Sequence, residues 1–375
     1  MKLLHFSDLH LDASFASAGL PSSMGTMRRQ ALAVMLTELC KLAREHRVDA
    51  VTIAGDLYNQ YGVIPQTVEL LASQFAALYP VRVFIAPGQA DPYLPNSPYT
   101  VYPWPDNVHI FARSVLERVD CAPGVSLWGA AYPAGRGHMA LDNTRVNGEG
   151  QHLLLLHAVQ ADRAGLEQMF YVNDAAVRSA GFAFALLGSA HEGRLTPESG
   201  AIAAYPGSPE VLYPDEQGGR HGAVLLTVED GRCEPTWIDT ARWRYVSRVV
   251  DVGGCSTPEK IVARVLDRLE HELTTVHSVT LMGIPQCPVI AADIQRAIAT
   301  KTDVHVLVSL RLDLPRDLDS LKNEPTVRGT LVRRLDQQTK GVRSAEDVAQ
   351  QRAALHLALQ ALDGKKVLWN EIDPD

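Results

Sequence analysis

The chain contains no apolar run approaching the ~20 residues that a membrane-spanning helix needs. Its first aspartate, Asp8, comes too early for the apolar core of a secretory leader. Neither a membrane span nor an export signal is expected. Cysteine is sparse, with five at positions 40, 121, 233, 255 and 287. That number is odd and includes no CxxC pair, which argues against a disulfide frame and fits reduced thiols in a cytoplasm. Positive charge is also short. The 35 Lys and Arg against 43 Asp and Glu leave a formal net charge of -8, so bulk charge alone would not hold this protein on nucleic acid, and only a local basic strip or a partner's help would. Glycine-rich phosphate loops are missing as well. No GxGxxG and no P-loop lysine motif occurs, which excludes the usual dinucleotide and P-loop nucleotide sites.

What is present is enough apolar sequence for a sizeable core. At 375 residues, 46% hydrophobic and 21% charged, the chain is expected to form two or three domains. Its organisation is strand then helix, repeated. Residues 2–7 read as a strand and 24–46 as a long helix with Leu32, Met35, Leu36, Leu39 and Leu42 on one face. Strands at 49–54 and 81–86 flank a helix at 65–78 that begins on proline. Further β-like runs at 108–111, 125–130, 153–156, 182–187, 201–204 and 223–228 lie close together without long helices between them. The expected class is α/β, a two-sheet sandwich flanked by helices. The pattern changes near Trp243. Ser256-Thr257-Pro258-Glu259 reads as a capping box opening a helix, and a small α/β unit follows. Beyond residues 313–315 comes a polar stretch, then a helix over about 345–362 with Val348, Leu355, Leu359 and Leu362 aligned. The expected division is 1–245, 246–325 and 326–375.

Five short blocks carry the chemistry. Asp8-Leu9-His10 closes the first apolar run, Gly55-Asp56 the second, and Gly88-Gln89-Ala90-Asp91 the third; His157 and Gly188-Ser189-Ala190-His191 follow later runs. Placement after buried strands would gather these residues at the carboxyl edge of one sheet, where open α/β folds build their sites. Imidazole and carboxylate together suit manganese, iron or zinc better than magnesium. Such ions can activate water and neutralise phosphoryl charge.

The order DxH, GD, a GNHD-like block, H and a GHxH-like block resembles the calcineurin-like metallophosphoesterase superfamily over roughly residues 1–240. Ser7-Asp8-Leu9-His10-Leu11-Asp12, Ala54-Gly55-Asp56-Leu57-Tyr58 and Tyr205-Pro206-Gly207-Ser208-Pro209 resemble the bacterial DNA-repair exonuclease subunits of the SbcD and YhaO type. The resemblance implies a metallophosphoesterase domain (1–245), a capping domain (246–325) and a helical segment (326–375) that docks on the coiled coil of an SMC-like ATPase. It implies DNA as substrate, and it leaves a homodimer open. One metal site, Asp8, His10, Asp56 and His191, is whole. The second would take Asp56, Gln89, His157 and Ser189, and there the asparagine and the first histidine of the family pattern are replaced. The family's catalytic histidine is Ala90. The resemblance therefore implies one manganese (or iron or zinc) ion per chain and a weakened or lost nuclease; the alternative is an active phosphodiesterase using one metal or replacement ligands.

Several residues keep two readings. His157 reads as a ligand or as a core histidine, and Gln89 as a weak ligand or a loop residue. The stripe of the last helix is either self-packing or partner-binding. Glu192 and Asp91 neighbour the lost positions without occupying them. His5, His152 and His221 carry no role, and Arg28, Arg29, Arg242, Arg244 and Arg248 read as solvated surface.

Overall fold

The computed structural model describes residues 1–15, 20, 22–133, 141, 144–160, 170–216, 218–312, 321–339, 354–355, 358–359 and 361–362. The chain divides into two compact units, Met1–Val246 with Glu272–His277, and Ser247–His271 with Ser278–Asp375.

Two six-stranded sheets form the first unit. Along one sheet the order is β14 (Arg232–Asp239), β13 (Gly222–Glu229), β1 (Lys2–Phe6), β2 (Ala50–Ile53), β3 (Arg82–Ile85) and β4 (Val108–Ile110). Along the other it is β11 (Arg194–Thr196), β12 (Ala203–Tyr205), β10 (Phe184–Gly188), β7 (Gln151–His157), β6 (Val125–Gly129) and β5 (Glu117–Ala122). β1 to β4 run parallel, as do β6, β7, β10 and β12. A short pair, β8 (Val159–Gln160) and β9 (Tyr171–Val172), lies apart.

The period of two sets the layers. In β1, Leu3 faces a cluster that includes Leu153, Leu155, Phe184 and Leu186 of the second sheet, while Leu4 and Phe6 face the helix side. In β7, Leu153 and Leu155 point between the sheets and Leu154 and Leu156 point outward. α1 (Ser22–Glu45) buries Leu32, Met35, Leu36 and Leu39, the stripe its spacing indicates, against the first sheet with Leu71 and Phe75 of α2 (Pro65–Ala76). A one-turn helix, α3 (Pro98–Val101), precedes β4. On the second sheet's outer face lies α4 (Asp174–Ala180), started by Asn173, whose side chain accepts from the Ala176 N–H. The expected sandwich is the observed one.

His5, given no role by its sequence, is completely buried between the sheets. Its Nε2 lies 3.1 Å from the Leu187 carbonyl of β10, and its Nδ1 lies 3.1 Å from the Thr52 hydroxyl. A neutral ring satisfies both contacts, donating from Nε2 and accepting at Nδ1. Burial pushes its pKa down to about 4, with the backbone contacts to the carbonyls of Leu187 and of Thr52, the latter 3.3 Å from Nδ1, opposing.

Arg28 departs from the surface reading. It is 0% exposed, with Nη1 3.6 Å from Glu210, a hydrogen bond from Nη2 to the Val211 carbonyl, and its guanidinium 4.6 Å from the Trp243 ring centroid. Its position on the buried side of α1 requires a counter-charge, and Glu210 supplies it.

The second unit holds most of a three-stranded sheet, β15 (Arg244–Asp251), β16 (Thr275–Gly283) and β17 (His305–Leu312), of which residues 244–246 and 275–277 fall in the first unit, together with α5 (Pro258–Leu266) and α6 (Ala291–Ala299). Thr257 caps α5, accepting from the Lys260 N–H. Val250, Ile261, Val265, Leu281, Ile294 and Ile298 are among its core. Within the stretch that reads as polar, a helix forms, α7 (Val327–Thr339). Leu355 and Leu359 are buried against Val332 of α7, whereas Leu362 is 44% exposed. For these two leucines the stripe is self-packing. Most of the expected 345–362 helix, with Val348, lies outside the described residues.

Candidate metal centre

The chemistry-bearing residues collect from two sheets rather than one. Asp8 and His10 follow β1, Asp56 follows β2, His157 ends β7 and His191 follows β10. The parallel strands of both sheets present their carboxyl ends at the same end of the sandwich, so a site read as the edge of one sheet spans two. The approach is close. A Cβ on Gly55, which sits at φ +74°, would lie 2.6 Å from the Gly88 Cα, and a Cβ on Gly88 would overlap an Asp56 carboxylate oxygen. Only glycine lets these two loops meet.

The backbone around the site is held in uncommon conformations. Asp8, His10 and Asp56 have φ of 54°, 49° and 52°, and Ser189 has φ of 96°. Such residues cost about 1–3 kcal/mol each and persist where surrounding contacts over-determine them. Here the contacts are visible. The Asp8 N–H donates to the Gly55 carbonyl at 3.0 Å and the His10 N–H to that of Asp56 at 2.9 Å. The Ser189 N–H donates to both Asp8 oxygens at 3.0 and 3.2 Å, and the Ser7 hydroxyl donates to one of them at 2.5 Å.

Two overlapping groups of donors result. Asp8, His10 and His191 bring ligand atoms within 4.8 Å of one another, and so do Asp8, Asp56 and His157. The sequence assigns Asp56 as the shared carboxylate; in the structure Asp8 belongs to both groups. Asp56 also faces both ways, with Oδ2 3.5 Å from His10 Nε2 and Oδ1 3.5 Å from His157 Nε2.

The tautomers are set from behind. His157 Nδ1–H donates to the Ala54 carbonyl at 2.9 Å, His191 Nδ1–H to Glu216 at 2.6 Å, and His10 Nδ1–H to the Asn59 amide oxygen at 2.8 Å. Every Nε2 lone pair is then turned toward the carboxylates. His10 Nε2 and His191 Nε2 lie 3.2 Å apart. Two lone pairs at that distance repel unless a cation lies between them, so the donor set fits a metal ion.

Electrostatics point the same way. Burial alone would raise the Asp56 carboxyl, but His157, His10, the Ala90 N–H at 2.7 Å and His191 together hold it below the usual carboxylate range. Burial would lower His157 and His191; for His157 the Asp56 and Asp8 carboxylates outweigh it, and for His191 the Glu216 hydrogen bond and Asp8 do, so both end above the ordinary histidine value.

The replaced positions lie at this mouth. Gln89 is exposed. Ala90 offers only its backbone, N–H to Asp56 and carbonyl to the Gln60 N–H. Ser189 contributes its amide to Asp8. Glu192 is exposed. Asp91 is fully buried and is a scaffold: it accepts from the N–H groups of Asp56, Leu57 and Gly88 and from the Tyr99 hydroxyl. Burial and the nearby Asp56 push its carboxyl up to about 7, against those hydrogen bonds. Sequence reasoning missed Asn59, Glu216 and this use of Asp91, because partners brought together only by the fold leave no local spacing.

Aspartates and histidines thus converge at the strand ends of this two-sheet fold. Residues 1–158 match the calcineurin-like phosphoesterase family model. Among curated proteins the chain is 24% identical over 241 residues to "Uncharacterized metallophosphoesterase YhaO" of Bacillus subtilis strain 168, covering 62% of this chain. It spans 58% of that relative's length. The crystal structure of TT1561 of Thermus thermophilus aligns with a TM-score of 0.38 at 12% identity, over 63% of this chain and 97% of that one. Among the described residues, no helix is long and apolar enough to cross a membrane.

Proposed function

We propose that this chain is a DNA-repair exonuclease-like metallophosphoesterase subunit of the SbcD and YhaO type, with weakened phosphodiester hydrolysis, working in the cytoplasm on DNA with an SMC-like ATPase. The observation that carries the reading is the convergence of Asp8, His10, Asp56, His157 and His191 beside Ala90, whose side chain has no proton to give. Asp8, His10, Asp56 and His191 would hold one divalent ion, and their mixed imidazole and carboxylate chemistry suits manganese, iron or zinc. Such an ion supplies Lewis-acid stabilisation of phosphoryl charge. The chain's own part is orientation. The Ser189 and Ala90 amides fix the Asp8 and Asp56 carboxylates, and the backs of the three imidazoles are held so that Nε2 faces inward.

The missing imidazole is what weakens the reaction. A positioned general acid contributes about 10²- to 10⁴-fold, and no side chain takes its place at Ala90. The loss falls most heavily on poor leaving groups such as the 3′ oxygen of DNA. The helical segment that would meet the ATPase is in the second unit, where docking would use residues other than the buried Leu355 and Leu359.

A second reading, an active phosphodiesterase with replacement ligands, is favoured by the group Asp8, Asp56 and His157, which keeps three donors where the second ion of the family would sit. The test is restoration. Gln89→Asn, Ala90→His and Ser189→His together should raise manganese-dependent cleavage of linear duplex DNA by at least about 10²-fold, with Ala90→His alone recovering little because groups acting as a unit are not additive. A triple variant no faster than the parent would refute the weakened-nuclease reading.

A further inference from the structure

Behind His191 lies a carboxylate whose charge the phosphoesterase reading does not use. Glu216 ends a short 3-10 turn, Pro214–Glu216, and is 7% exposed. One carboxylate oxygen accepts His191 Nδ1–H at 2.6 Å, and the other accepts the Leu212 N–H at 2.7 Å. Its own carbonyl is held by the Gly219 N–H and lies 3.2 Å from His221 Nε2. Tyr213, the residue just before this turn, stacks on the His191 ring at 6.1 Å between centroids and 12° between planes, while His10 meets that ring edge-on at 5.0 Å. The turn therefore fixes His191 in tautomer, in ring plane and in direction.

The three imidazoles are not equivalent from behind. His157 is backed by a carbonyl and His10 by an amide oxygen, both neutral, whereas His191 alone among the three is backed by a carboxylate. A charge-assisted hydrogen bond is roughly twice as strong as a neutral one, and a carboxylate behind a ligating imidazole raises its basicity as a donor. A buried carboxylate with both oxygens committed is also an expensive feature to keep without a use.

We propose that Glu216 is a positioning residue for the metal ion, acting through His191, which it makes the strongest imidazole donor of the Asp8, His10 and His191 group. The proposal rests on the reading of that group as a metal site. Removing the charge while keeping the shape should weaken the ion's hold by about 10- to 100-fold, the usual effect of losing such a partner.

The test is manganese chloride titrated calorimetrically into the metal-stripped full chain, with four variants beside the parent. His191→Ala should abolish tight binding. Glu216→Gln should weaken it by about 10- to 100-fold, and Glu216→Asp should lie between, since it keeps the charge at a longer reach. Asp215→Asn, the exposed neighbour, should bind as the parent does. A second readout needs no metal. The strongly downfield Nδ1 proton of His191, identified by its loss in His191→Ala, should move upfield in Glu216→Gln, a change that mere loosening of the turn in a folded chain would not confine to one proton. Unchanged manganese affinity in His191→Ala overturns the metal-site reading itself. Loss of binding in His191→Ala with affinity within twofold of the parent in Glu216→Gln, or an unmoved Nδ1 proton there, overturns the role of Glu216 alone.

Discussion

Replacing Asp91 with alanine would strip the site of its scaffold without touching a candidate ligand. Its carboxylate accepts from the N–H groups of Asp56 at 2.8 Å, Leu57 at 2.9 Å and Gly88 at 2.6 Å, and from the Tyr99 hydroxyl at 2.6 Å. All are at a residue with no solvent exposure, so water does not readily take its place. A buried donor left without an acceptor costs about 1–3 kcal/mol. At the bottom of that range the four donors sum to about 4 kcal/mol, a large part of the ~5–15 kcal/mol that holds a domain folded. Asp91→Asn keeps one carbonyl oxygen but turns an NH₂ group toward donors, and should fall between. Urea unfolding followed by tryptophan fluorescence reports the region, since Trp104 lies 5.9 Å from the Tyr99 ring. The same variant should bind manganese more weakly, because the loops carrying Asp56 and Gly88 lose their common anchor. An Asp91→Ala protein less stable than the parent by under about 1 kcal/mol would show that the four bonds are not the scaffold inferred here.

Two further predictions concern buried charge. Because His5 is held near 4 in the folded state and titrates near 6.5 when unfolded, the unfolded chain binds its proton first. Its contribution is full above pH 6.5 and is lost as pH falls toward 4, about 3 kcal/mol in all; His5→Gln should flatten the urea midpoint over that window, and an unchanged pH slope would refute the assignment. Arg28→Met strands Glu210 in the interior and should cost about 3–5 kcal/mol. Adding Glu210→Gln should recover part of that loss in a double-mutant cycle, and strict additivity would mean that Arg28 and Glu210 do not act as a pair.

The sandwich was legible where apolar period and turn chemistry agreed. β1 to β3 and β7 are mostly apolar and buried runs bounded by Gly, Asp or Pro, and α1 shows its buried stripe directly. β5 and β14 were not legible. Both lie at sheet edges and carry several charged residues, and β14 carries Pro235, which an edge strand tolerates and a sequence pattern counts against it. α7 was hidden because, among its described residues, only Leu331, Val332 and Leu335 pack into the cluster it shares with Leu355 and Leu359, in a mostly polar sequence. In the site, Asp8, His10, Asp56, His157 and His191 could be picked out in order, since each closes a strand. That they meet across two sheets, that Asp8 belongs to both donor groups, and that Asn59 and Glu216 stand behind the imidazoles all depend on contacts between segments far apart in the chain.

The central claim is that one donor group is complete and the other is degraded, and counting ions tests it most directly. Purified full-length protein, equilibrated with excess manganese and passed through a desalting column, should retain no more than one ion per chain by elemental analysis, and should cleave linear duplex DNA far more slowly than intact relatives. Two retained ions per chain, together with manganese-dependent cleavage at the rate of those relatives that Asp56→Ala abolishes, would contradict the account and leave the active phosphodiesterase standing.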